Sequence, residues 1–311
     1  MTEHAGLEIH IHDSLGAIDR QAWNALNGDD DPFLLYEFLS ALETTGCLGE
    51  AHGWYPRYFT IVDADKTLLA ACPAYIKTNS YGEFVFDWSW ADAYRANGLE
   101  YYPKLVVSIP YTPATGRRLL VHPQADYPAL AKLLALAIRQ YAEEAKLTGV
   151  HCLFTNQQDT RTLEENGYRL RLGCQYHWQN HDYAGFADFL DQCTAKRRKT
   201  IKRERRSIEE QNLQLSVRSG DSLSRAEWRI VCELYTSTFD RKWGEASLNR
   251  AFFETVGKTM GDRFVIVFAL FEDEIVACSV MLKSRDTLFG RYWGCRQTFH
   301  NLHFEACFYQ G

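Results

Sequence analysis

No apolar run in this 311-residue sequence reaches the roughly 18 residues that a membrane-crossing helix requires. The opening stretch, MTEHAGLEIHIH, has neither a basic start nor an apolar core, so no signal peptide is expected. No C-x-x-C pair occurs among the nine scattered cysteines, at 47, 72, 152, 174, 193, 232, 278, 295 and 307. That pattern argues against a disulfide framework or a zinc site and for reduced thiols in the cytoplasm. A G-x-S-x-G elbow, an H-E-x-x-H helix and a P-loop are absent, which excludes the chemistries those motifs carry. His10 and His12, and His177 and His181, lack convergent acidic or cysteine partners, so no metal is expected. Excess positive charge is missing too: the net charge is −6, unlike that of a wholly basic nucleic-acid binder, and no common RNA-binding module is legible.

What is present is an ordinary globular composition, 46% apolar and 24% charged, on a length that suits two domains or one large one. Leu7–His12 alternates like a strand, and Asp13-Ser14 precede a helical pattern through Trp23 and Leu26. A second helix is expected over Pro32–Leu42, and Trp54–Val62 and Thr67–Ile76 read as a hairpin about Asp63–Lys66. Tyr127–Ala145 is a strongly amphipathic helix, Val150–Phe154 a short strand, Asp159–Asn166 a helix and Tyr168–Trp178 a final long strand. The opening pattern then recurs. Asp13-Ser14-Leu15 and Trp23 are echoed by Asp221-Ser222-Leu223 and Trp228, and LLAACPAYIK at 68–77 by EIVACSVMLK at 274–283. A near-constant offset through these matches implies an internal duplication. Between the copies, residues 195–211 hold eight Lys/Arg and three Glu, a local charge of +5. Rich in Lys, Arg and Glu and free of Gly and Pro, this segment is expected to be helical, with Arg198, Lys202 and Arg206 on one face.

The segment from Tyr81 to Leu120 is far richer in aromatics than the 14% of the whole chain. Phe84, Phe86, Trp88 and Trp90 alternate with Glu83, Val85, Asp87 and Ser89, the period of a strand. A carboxylate among aromatics needs a partner, and Arg95, Lys104 and Arg117 are the nearby candidates. The bland reading is a core strand with one ion pair; the sharper one is an aromatic-walled cleft with a few placed charges. FDWSWADAY, YYPKLVVSIPYTP and TGRRLL, together with LHFEACFYQG at 302–311, resemble a bacterial family of N-acyltransferases, GNAT-like or Fem-like, linked to peptidoglycan biosynthesis. The resemblance implies an α/β chain of two GNAT-like units in tandem: a first unit at 1–192, a basic linker helix at 193–212 and a second unit at 213–311. That second unit is shorter than the first, so the sequence reads either as C-terminally truncated or as carrying a naturally degenerate second domain.

The same resemblance implies transfer of an acyl or aminoacyl group to an amine on a small molecule or cell-wall precursor. Asp87, His303 and Glu305 are the candidates for proton handling. Trp88, Trp90, Asp92, Tyr102, Lys104, Arg117, Tyr292 and Trp293 are candidates for substrate binding. Arg198, Lys202 and Arg206 are candidates for phosphate contacts. Acetyl-CoA enzymes of the GNAT fold hold pyrophosphate on a glycine-rich loop at a helix N-terminus. Neither His122–Asp126 nor Arg296–Asn301 contains glycine, which leaves the donor open between acyl-CoA and aminoacyl-tRNA. A reading from another class is a non-catalytic protein that grips a nucleic acid or an anionic precursor through the basic helix.

Overall fold

The computed structural model describes residues 6–28, 30–240 and 245–311. It is a mixed α/β structure with two sheets, and the chain divides into two compact units. One runs to Arg171 and includes Ser247–Phe252; the other comprises Leu172–Ala246 and Phe253–Gly311.

The first unit contains, in chain order, β1 (Glu8–His12), α1 (Arg20–Ala25), α2 (Tyr36–Thr44), β2 (Trp54–Val62), β3 (Leu68–Lys77), α3 (Trp88–Ala96), β4 (Lys104–Val107), β5 (Leu120–Val121), α4 (Tyr127–Glu144), β6 (Val150–Cys152) and α5 (Gln157–Glu165). The hairpin between β2 and β3 forms as its sequence requires: Asp63 Oδ1 accepts from the amides of Asp65 and Thr67, at 3.0 and 2.9 Å. The sheet order is β1-β2-β3-β4-β6, with β5 also on β3; all neighbours are antiparallel except β4 and β6. Parallel strands need a long crossover, and here it is α4, capped by Asp126 and carrying Pro128 in its first turn. Leu130, Leu134 and Ile138 of α4 bury against Phe59, Cys72 and Val107 of the sheet. Trp23 of α1 packs edge-on against Tyr58, 5.6 Å between rings.

The second unit contains α6 (Phe186–Gln192), α7 (Ala195–Glu210), β7 (Leu213–Ser219), α8 (Arg225–Asp240), most of α9 (Arg250–Met260), β8 (Phe264–Phe271), β9 (Glu274–Lys283), β10 (Leu288–Cys295) and α10 (Leu302–Phe304), continued by a π-helical turn at Glu305–Tyr309. Its sheet is an antiparallel meander, β10-β9-β8-β7. Ile208 of α7 and Leu302 of α10 pack with Leu213, Ala269 and Ala277. Trp228 of α8 lies over Phe253 and Phe264.

Three sequence expectations are corrected. The alternating segment 84–90 is not a strand. Phe84 and Phe86 have φ of 61° and 50°, in the left-handed region, and α3 begins at Trp88. The alternation is real but inside out: Glu83 and Asp87 are buried, whereas Phe84, Phe86, Trp88 and Trp90 are exposed. The expected strand at 168–178 is irregular chain that pairs with no described strand. Leu172 and Tyr176, at 83% and 96% exposure, have no opposing edge to bury them. Period two permits a strand, but a partner ladder makes one. The second helix also starts later than expected, at Tyr36, after a turn that buries Phe33 and Leu34.

Candidate functional site

In the first unit the ends of β3 and β4 bring two lysines together. Lys77 pairs with Lys104 across the antiparallel ladder, so the two side chains share one face of the sheet. Both are fully buried. Like charges placed opposite one another in a sheet are destabilising unless compensated. The compensation comes from the segment that follows β3. Gly82 takes φ of +80° there, and a Cβ at this position would lie 2.6 Å from the Tyr111 ring, so only glycine lets the chain turn beneath Tyr111. That turn carries Glu83 and Asp87 inward.

Lys104 Nζ donates to Glu83 Oε2 at 2.9 Å and to Asp87 Oδ2 at 2.7 Å. Tyr101 Oη also donates to Asp87 Oδ2, at 2.6 Å. Asp87 occupies the N-cap position of α3, where an aspartate ordinarily accepts from the helix's own amides, yet it makes no cap bond and turns to Lys104 instead. Ser80 Oγ and Tyr102 Oη share a hydrogen bond of 2.5 Å at the edge of the cluster. Lys77 Nζ donates to the carbonyls of His52 and Tyr81 and to Asn79 Oδ1, and sits 4.1 Å over the Trp54 ring. His151 is the partner of Val106 in the β4–β6 ladder and therefore a diagonal neighbour of Lys104 on the same face.

The electrostatics of the cluster are unequal. Burial raises the Glu83 carboxyl, against the opposing pull of Lys104. Burial would raise Asp87 as well, but the hydrogen bonds from Lys104, Ser80 and Tyr101 outweigh it and hold the carboxyl down at about 2. Burial lowers Lys77 to about 7, and it lowers His151 to about 4 with Lys104 adding to the effect. At neutral pH His151 is uncharged and Asp87 is ionised. One oxygen on each carboxylate, Glu83 Oε1 and Asp87 Oδ1, is buried without a hydrogen-bond partner among the described residues. Buried acceptors left unused are uncommon and mark a place where a donor is missing. Ligand atoms of Glu83, Asp87 and His151 lie within 4.8 Å of one another, a spacing that a metal ion could use. The Lys104 ammonium already supplies the positive charge to both carboxylates.

Of the residues singled out from the sequence, Asp87, Lys104 and Tyr102 meet in this cluster. Trp88 and Trp90 lie on the outer surface of α3: Trp88 stacks edge-on with Tyr81 at 5.0 Å, and Arg171 sits over Trp90 at 5.2 Å. Asp92 is exposed and pairs with Arg95. Arg117 is half-buried, and its neighbour Arg118 is the fully buried one. Arg118 donates to the carbonyls of Ala114, Arg117 and Leu153, and its backbone amide is held by Asp159. Glu83, Lys77, Tyr101 and His151 were missed as site residues. The available signal was a lysine at the end of each of two apolar strands and two acids four residues apart between them.

In the second unit, His303 meets Trp293 edge-on at 5.4 Å, and burial lowers its imidazole. Tyr292 packs against Tyr235 at 4.9 Å. Glu305 is buried and holds Arg205 of α7 through both oxygens, at 3.1 to 3.2 Å, while Gln310 donates to Oε1 at 2.7 Å. Its acceptors are engaged in anchoring α7. Arg198 is half-buried, donating to Asp191 and to the Cys193 carbonyl, whereas Lys202 and Arg206 are exposed. All nine cysteines are free thiols. Among the described residues, no helix is long and apolar enough to cross a membrane.

Comparison with known proteins adds a family. The FemAB-like profile, described as peptidoglycan biosynthesis/recognition, matches residues 14–311. A conserved protein of unknown function from Bacteroides thetaiotaomicron superposes with a TM-score of 0.53, covering 97% of this chain and 86% of its own at 10% identity, which shows a shared fold. L-PGS from Bacillus licheniformis aligns at a TM-score of 0.49 and 14% identity, over 90% of this chain and 67% of its own. A tandem GNAT protein from the clavulanic acid biosynthesis pathway aligns at 0.42 and 10% identity, over 94% and 81%. No curated protein matches the chain.

Proposed function

Because the chain belongs to the FemAB-like family of peptidoglycan biosynthesis/recognition proteins, we propose that it transfers an acyl or aminoacyl group to an amine of a peptidoglycan precursor. The observation that carries this reading is the Lys104 cluster, with two buried carboxylate oxygens left open beside a neutral imidazole. In this reaction the amine nitrogen attacks the donor's carbonyl carbon and a new C–N bond forms. The thioester or ester bond breaks with its electron pair on the leaving group, and the amine gives up a proton. Glu83 is the better proton acceptor, since burial raises it towards a useful range, whereas Asp87 is held too acidic to be a strong base. Asp87 instead keeps a fixed negative charge that aligns the incoming amine, and Lys104 holds both carboxylates in place. The element order strand, short 3-10 turn, two helices, antiparallel strands occurs in each unit, which supports reading the second as a repeat of the first joined through α7.

The N-terminus of α4 is closed by its own residue: Asp126 Oδ1 accepts from the Ala129 amide. A pyrophosphate placed there would meet a carboxylate, which favours a donor held elsewhere, such as aminoacyl-tRNA. The test supplies the full-length protein with an amine-bearing precursor peptide and, separately, acyl-CoA and aminoacyl-tRNA pools, and reads product by mass spectrometry. Product is expected from one donor. Glu83→Gln should lower kcat by about a hundredfold on a fully folded sample, and the wild-type rate should rise with pH through a limb above the usual glutamate range. No product from either donor, or full activity in Glu83→Gln, defeats the proposal.

A further inference from the structure

His151 is the member of the Lys104 cluster to which the transfer chemistry gives no part. It sits where the cluster meets solvent: Glu83, Asp87 and Lys104 are buried, whereas His151 and Tyr102 are half-buried. The parallel register of β6 on β4 fixes the imidazole, and its ring packs edge-on against Tyr101, 5.9 Å between centres. Tyr101 in turn donates to Asp87 Oδ2. Neither ring nitrogen of His151 makes a hydrogen bond with a described residue. Burial, and then the charge of Lys104, keep the second proton off the ring, so one nitrogen is an acceptor.

Three acceptors therefore stand without a donor among the described residues: Glu83 Oε1, Asp87 Oδ1 and a nitrogen of His151. Their side chains converge, a carboxylate oxygen of each acid and a ring nitrogen lying within 4.8 Å of one another. Lys104 does not use up this arrangement. Its ammonium is turned to the other oxygen of each acid, Glu83 Oε2 and Asp87 Oδ2, and to Ser80 Oγ at 3.5 Å. Two carboxylates share that one ammonium, and Lys77, which burial lowers to about 7, offsets the remaining negative charge only in part. A second ammonium suits both the charge and the spacing. A primary ammonium carries three N–H bonds at tetrahedral angles, so acceptors about 2.8 Å from its nitrogen lie about 4.6 Å apart. Each N-alkyl group added to it removes one donor and strands one acceptor, and a hydroxyl brings a single donor and no charge.

We propose that His151 completes, with Glu83 and Asp87, a three-point site for a primary ammonium, and that His151 thereby restricts the acceptor to unsubstituted primary amines. The inference rests on reading this cluster as the acceptor's site, and binding tests it apart from transfer. The probe is n-butylammonium, titrated into the full chain in the presence of EDTA. The NMR resonances of the Tyr101 ring, which lies between His151 and Asp87, report occupancy in wild type and variants alike. Butylammonium is expected to shift them saturably, N-methylbutylammonium to bind roughly tenfold more weakly, and butanol to leave them unmoved. His151→Leu should weaken butylammonium roughly tenfold, and His151→Gln, which keeps an acceptor, should restore most of that loss. The amine series on the wild type decides the question should His151→Leu not fold. Selective binding of the primary amine with no product from any donor defeats the transfer reading and leaves this site standing. No binding of butylammonium, equal binding of the methylated amine or of butanol, unchanged affinity in a folded His151→Leu, or binding that requires an added divalent metal overturns the inference.

Discussion

Lys104 shows how much one buried side chain can hold. It is the shared partner of Glu83 and Asp87, and among the described residues neither carboxylate has another cation at hydrogen-bond distance. Removing a partner from a buried ion pair leaves the remaining charge uncompensated. Lys104→Met is therefore expected to cost about 3–5 kcal/mol, read from urea unfolding. Adding Glu83→Gln and Asp87→Asn should restore part of that loss, because the three positions act as one unit. Asp87 also makes a pH prediction. Its folded carboxyl is lowered from 3.8 to about 2, so between those values the unfolded state binds more protons and stability falls as pH drops. The shift is worth about 2 kcal/mol. Wild type should lose that much more than Asp87→Asn between pH 5 and pH 2, the difference between the two proteins isolating this group from the other acids.

At the scale of elements, the sequence was most legible where one face of an element decides its fate. Leu130, Leu134 and Ile138 on α4, and the alternation along β2 and β3, announced burial that the fold provides. The Tyr81–Trp90 segment was misread because hydropathy was taken to point the rings inward. The fold instead buries the charges, since Lys77 and Lys104 are already inside and need them. The positive φ values of Phe84 and Phe86 leave no trace that residue type alone reveals. The Lys104–Asp87 pairing was within reach, as both lie in the same aromatic stretch; His151 was not, because only the parallel β4–β6 register brings it alongside. The basic segment 195–211 was read correctly as a helix, but which of its cations are engaged depends on Asp191, just ahead of it, and on Glu305, distant in sequence. Since Arg205 and Glu305 tie α7 to the C-terminal turn, Arg205→Gln should raise amide hydrogen exchange across residues 302–310, with α4 unaffected.

Over the whole molecule, each unit has a hydrophobic core and a sheet of its own. Such a chain need not unfold in one step. Gly257 lies so close to Trp228 that a Cβ would sit 2.1 Å from the indole. Gly257→Ala is expected to lower the melting of the second unit while leaving the first near its wild-type temperature, so that calorimetry resolves two transitions. One transition moving as a whole would show that the units unfold together. The inverted Tyr81–Trp90 segment has a consequence for mutational tolerance. In a saturation library, hydrophobic replacements at Glu83 and Asp87 should be purged, while Phe86, three-quarters exposed, should accept Ser, Lys or Glu with little loss of folded protein. A substitution matrix built on ordinary cores would rank these positions the wrong way round.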